Sequence, residues 1–113
     1  VVHYKSATKS AGYLEYENAR VRWFLSIDYN DVPNSTKATG QRTYRSITVD
    51  GEEIEFSGGF TELHNISYQE ILAGRGFGLE ENRIAISTVA EIRNQIPRGL
   101  QGEYHPFLNN TRA

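Results

Sequence analysis

With 113 residues and a formal net charge of −2, the chain fits one domain with a small core. It has no basic stripe of the kind a nucleic-acid surface needs, and no apolar run near the roughly 20 residues that cross a bilayer. It contains no cysteine, which excludes disulfides and thiolate metal sites from this segment. The spacing of His3, His64 and His105 does not match a zinc site, and no metal is expected.

Val1 to Lys5 reads as a strand. Tyr13–Glu17 and Arg20–Asp28 read as a hairpin around Asn18. In its second arm Val21, Trp23, Leu25 and Ile27 alternate with Arg20, Arg22, Phe24, Ser26 and Asp28. That period of two places the apolar set on one face, expected to be the covered one, and Phe24 with two arginines on the other. Asn30 to Gln41 is polar, holds Pro33 and Gly40, and reads as a connecting loop. Arg42–Val49 and Glu52–Phe56 flank Asp50-Gly51, a strong signal for a tight hairpin. Gly58-Gly59 closes its second arm.

The second half turns helical. Ser67-Tyr68-Gln69-Glu70 has the form of a capping box, so one helix starts either there or at Thr61 and stops at Gly74. A start at Thr61 sets His64 and Tyr68 one turn apart on one face; a Ser67 cap leaves His64 in a loop. A second helix is predicted over Glu80–Asn94, with Ala85, Ile86, Val89 and Ile92 as its inner stripe and Pro97 and Gly99 closing it. Gln101–Ala113 has no period and reads as an arm. The predicted class is α+β: a two-layer domain with an open, mostly antiparallel sheet and helices on one face. Residues 1–100 form the domain and 101–113 the arm. The sheet's other face, with Phe24, is expected to meet protein.

Three features bear on chemistry. Gly74-Arg75-Gly76-Phe77-Gly78 invites a phosphate-loop reading, but a dinucleotide fingerprint follows a strand and has a third glycine where Leu79 stands. A helix C-cap glycine and a tight link fit better. His64 with Tyr68 can hydrogen-bond a sugar or exchange a proton near neutral pH. Arg75, like Arg20 and Arg22, can grip phosphate or carboxylate in bidentate fashion. No nucleophile elbow is present.

The stretches Leu14-Glu15-Tyr16-Glu17-Asn18-Ala19-Arg20-Val21-Arg22-Trp23-Phe24-Leu25-Ser26-Ile27-Asp28 and Tyr44-Arg45-Ser46-Ile47-Thr48-Val49-Asp50-Gly51-Glu52-Glu53-Ile54-Glu55-Phe56 carry a family likeness. So does the run from Gly59-Phe60-Thr61-Glu62-Leu63-His64 through Gly78-Leu79-Glu80-Glu81. Together they resemble the C-terminal half of the Gfo/Idh/MocA oxidoreductases, in the branch of UDP-N-acetyl-glucosaminuronate 3-dehydrogenases (the WlbA/WbpB type) of bacterial lipopolysaccharide biosynthesis.

The resemblance implies a cytoplasmic enzyme whose N-terminal Rossmann domain holds NAD and whose C-terminal domain faces a nucleotide-sugar substrate and self-associates through an open sheet. The family's glycine-rich dinucleotide motif and catalytic lysine would lie upstream of Val1. The resemblance therefore assigns no catalytic and no cofactor-binding residue here, and implies that this segment alone is inactive and binds no NAD. Its substrate-binding candidates are His64, Tyr68 and Arg75. A stand-alone assembly module and a small carbohydrate-binding domain are the competing readings.

Overall fold

The computed structural model describes residues 1–58 and 62–110. They fall into two compact units: Val1–Asp31 together with Ser87–Ala113, and Val32–Ile86.

The first unit is built on three antiparallel strands, β1 (Val2–Lys5), β2 (Lys9–Glu15) and β3 (Arg20–Ser26), in that order. The β2–β3 hairpin turns at Tyr16–Ala19, where the Tyr16 N–H donates to the Ala19 carbonyl at 2.8 Å. Strand β2 begins four residues before the predicted start because Ala11 and Gly12 are dictated by their cross-strand partners. Ala11 lies opposite Phe24 and Gly12 opposite Trp23, so each small residue shares a face with a ring. A Cβ built on Gly12 would lie 2.6 Å from Trp23 Cζ2, and the indole therefore crosses the bare backbone. A register shift between Val2 and Tyr4 leaves His3 in a bulge.

The open end of the hairpin is tied by a polar cluster. Lys9 Nζ lies 3.1 Å from Asp31 Oδ1 and 3.9 Å from Asp28 Oδ2, and the Ser26 hydroxyl donates to Asp31 Oδ2 at 2.6 Å. The hydrogen bond to Asp31 raises the Lys9 pKa above its ordinary value. Asp31 ends a 3-10 turn, Tyr29–Asp31. On the other side of the sheet's order, residues 95–99 run beside β1: Arg98 N–H donates to Val2 O at 2.9 Å and Gly99 N–H to His3 O at 3.0 Å.

Phe24 corrects the facing predicted for β3. Its ring stacks on His105 at 5.7 Å and meets Phe107 edge-on at 5.5 Å, so its face is the covered one. On the other side Trp23 is half-buried over Gly12, while its neighbours Leu25 and Ile27 are 67% and 84% exposed. The period of two holds, but of the set expected to be covered only Trp23 is half-buried, because the rings that pack on Phe24 come from a tail with no period of its own. That tail ends in a second 3-10 turn, Pro106–Asn110. Leu108 is fully buried, as are Val2 and Ala11, and these three with His3 form the core.

The second unit carries a short helix, α1 (Asn34–Lys37), inside the stretch read as loop. A separate two-stranded sheet follows, β4 (Ser46–Val49) with β5 (Glu52–Glu55). The Asp-Gly turn forms as predicted, with φ of 50° at Asp50 and 87° at Gly51. The pairing is therefore antiparallel throughout but divided between two sheets. Helices α2 (Leu63–Leu72) and α3 (Leu79–Asn94) complete the α+β set. Gly59 and Thr61, proposed as a strand end and a helix start, lie outside the described residues.

The α3 stripe is another correction: Ile86 and Val89, expected inside, are 64% and 57% exposed. The carboxyl end of α3 is tied to β1. Lys5 Nζ reaches the carbonyls of Ile92, Arg93 and Gln95 at 3.3, 2.7 and 3.2 Å, placing a cation at the negative end of the helix.

Leu108→Ala is expected to lower the stability of the sheet-bearing unit by about 2–5 kcal/mol, the cost of emptying a buried leucine site. Chemical denaturation reads it; a loss below about 0.5 kcal/mol, the size of a surface change, would place Leu108 outside the core.

Candidate functional site

Helix α2 starts at Leu63, not at Ser67. Ser67 stands mid-helix, and Glu70, the acidic half of the supposed capping box, is used elsewhere. His64 and Tyr68 are therefore four apart on one helix and share a face. Both side chains are exposed, and they offer an imidazole and a phenol to whatever covers that face.

The helix ends in a Schellman arrangement. Gly74, at φ 80°, donates its N–H to Ile71 O at 3.1 Å, and Arg75 N–H donates to Glu70 O at 2.8 Å. The hydrophobic contact that usually joins the same two positions is replaced by an ion pair. Arg75 Nε and Nη2 bind Glu70 Oε2 and Oε1 at 2.6 and 3.1 Å, which raises the arginine pKa further. The third candidate is thus a guanidinium already held in its bidentate mode. The pair is solvent-exposed and weak in water, so another anion can compete for the arginine.

The glycine stretch is a link between two helices. Gly76 packs on Ile71, with space for a Cβ only 3.0 Å from Ile71 Cγ1. Gly78 caps α3: its N–H donates to Glu81 Oε2 at 2.9 Å, and Asn82 Nδ2 donates to Gly78 O at 3.0 Å. An anion seeking the amino end of α3 would meet the carboxylates of Glu80 and Glu81 in the first turn. This geometry does not build a phosphate cradle.

Sequence reading missed two groups: Glu70 as the partner of Arg75, and the tail rings His105 and Phe107. The second had a signal, an aromatic-aliphatic pair Phe107-Leu108 in an otherwise polar tail. An open cleft in the first unit is lined by Val1, Asn94, Gln95, Ile96, Pro97 and Arg98, and none of His64, Tyr68 and Arg75 lines it. Among the described residues no three His, Asp or Glu side chains group to hold a metal. No described helix is long and apolar enough to cross a membrane.

The arrangement is one helix face and one arginine. The WlbA (WbpB) dehydrogenase from Thermus thermophilus in complex with NAD and α-ketoglutarate superposes with a TM-score of 0.87 at 54% identity, over 94% of this chain and 35% of that one. The same organism's WlbA (WbpB) dehydrogenase in complex with NAD and UDP-GlcNAcA gives a TM-score of 0.87 at 51% identity, over 94% of this chain and 34% of that one. The chain is homologous to a third of a WlbA-type dehydrogenase. No protein-family model matches it. The WlbA resemblance read from the strand, the hairpin and the glycine link therefore holds across nearly the whole chain, while two thirds of a WlbA chain's length has no counterpart in it.

Proposed function

We propose that this chain is the substrate-facing and self-associating part of an NAD-dependent dehydrogenase acting on a nucleotide-linked sugar acid, with oxidation at C3 of UDP-N-acetyl-glucosaminuronate. The observation that carries the reading is the 51% identity, over 94% of the chain, to a dehydrogenase that binds NAD and UDP-GlcNAcA. In that reaction a hydride leaves the sugar carbon for the nicotinamide and the hydroxyl proton goes to a base. The segment supplies neither the base nor the cofactor site and is inactive by itself. Its part is to bind and orient the sugar nucleotide, a service that lowers the barrier by fixing geometry. His64 and Tyr68 hydrogen-bond the sugar, and Arg75 exchanges Glu70 for a substrate anion.

Self-association uses the open face of the three-stranded sheet. Val21, Leu25 and Ile27 on β3 and its extension form an apolar strip that water does not favour. This replaces the Phe24 face, which the tail already covers.

Two tests follow. In the full-length dehydrogenase His64→Ala and Tyr68→Phe should each raise KM for the sugar nucleotide about tenfold, equivalent to roughly 1.4 kcal/mol of lost binding. An unchanged KM in both removes α2 from the site. For the 113-residue chain, light scattering should give a multiple of the single-chain mass, reduced to the single mass by Leu25→Asp, and calorimetry should show no heat with NAD. A wild-type monomer that binds NAD overturns the proposal.

A further inference from the structure

His3 and His105 are both built into the place where Gln101–Leu108 meets the sheet. His105 stacks on Phe24 at a 30° tilt, with its ring 5.2 Å from Phe107 and edge-on to it. Its Nδ1 accepts the Phe107 N–H at 3.1 Å, and its carbonyl accepts the Leu108 N–H at 3.0 Å. A nitrogen that accepts carries no proton, so this turn is specific for neutral imidazole. His3 is 4% exposed in the β1 bulge, meets Tyr104 edge-on at 6.4 Å, and has an Nδ1 without a hydrogen-bond partner. Protonating that nitrogen would bury a charged donor with nothing to receive it.

We propose that Gln101–Leu108 is an acid-releasable strap, docked on the Phe24 face while His3 and His105 are neutral and detaching ahead of the β2–β3 ladder when they take up protons.

The surroundings oppose protonation on both sides. Arg22, on the same face of β3 as Phe24, is the charge acting on His105, and the Val1 ammonium is the charge acting on His3. Tyr13, opposite Arg22 across the ladder, and Tyr104 are the neighbouring phenols. An imidazolium would gain some attraction from the Phe24 ring face, but it would lose its acceptor role and meet Arg22. Burial is the largest cause for both rings and, with these cations, holds both pKa values below 6.5; a hydrogen bond to the Gln101 backbone partly offsets this for His3.

The sign follows from linkage. With the strap detached the two histidines approach the ordinary value of about 6.5, and with it docked they lie lower, so docking is at full strength above that value and weakens as pH falls toward the docked values. Each histidine makes the release constant rise about tenfold per pH unit inside that window. Release bares Phe24, Phe107 and Leu108 while the strand pairing persists.

The test is amide exchange by NMR on the purified chain between pH 7.5 and 5.5, corrected for the intrinsic pH dependence of exchange. Protection at Phe107 and Leu108 should fall at least tenfold while the β2–β3 amides keep theirs. In His105→Phe, which keeps a ring on Phe24 but cannot titrate, Leu108 should stay protected at pH 7.5 and lose at least half of the logarithmic fall. His105→Gln serves the same purpose if the phenylalanine variant does not fold. Protection that ignores pH, or that vanishes in step with the ladder, overturns the proposal. So does a full acid response in the variant.

Discussion

Burial in this chain depends on a short tail closing over one side of a three-stranded sheet. Phe24 is half-buried where residues 105–107 bring two rings to it, and Leu108 completes a core whose other fully buried hydrophobic side chains are Val2 and Ala11. One face of the sheet is covered from within by the tail, while Leu25 and Ile27 on the other are exposed. The carboxyl end of α3 is fixed to the same unit through Lys5, at the terminus where a cation is best placed.

The second unit lacks such a centre. None of its described residues is buried; Ile47 faces Ile54 across a two-stranded hairpin with both side chains exposed. Two strands alone are marginal in water, and α2 offers its residues to solvent. His64, Tyr68 and Arg75 are exposed on that helix and its end, with Glu70 half-buried beside the arginine.

Local rules read well where a few residues decide the backbone. Asp50-Gly51 gave its turn and Gly74 its helix end, because positive φ leaves few choices. The period of β3 was legible; its inside was not, because the faces differ by what covers them, and Phe24 is covered by a segment 80 residues on in sequence. Ser67 misled as a cap since the Ser-x-x-Glu spacing is common and Glu70 is drawn to Arg75 instead. For the candidate site, spacing gave His64 and Tyr68 a common face once the helix began early enough, but no local signal pairs Arg75 with an acid five residues back.

The burial pattern concentrates stability in the sheet-bearing unit and leaves residues 32–86, none of whose described side chains is buried, weakly held. Hydrogen–deuterium exchange across the purified chain at low micromolar concentration tests it most directly. Amides of β2 and β3 should outlast those of α2 and the β4–β5 hairpin by at least about a hundredfold, as distinct cooperative units do. Equal protection in the two units would contradict this distribution of stability.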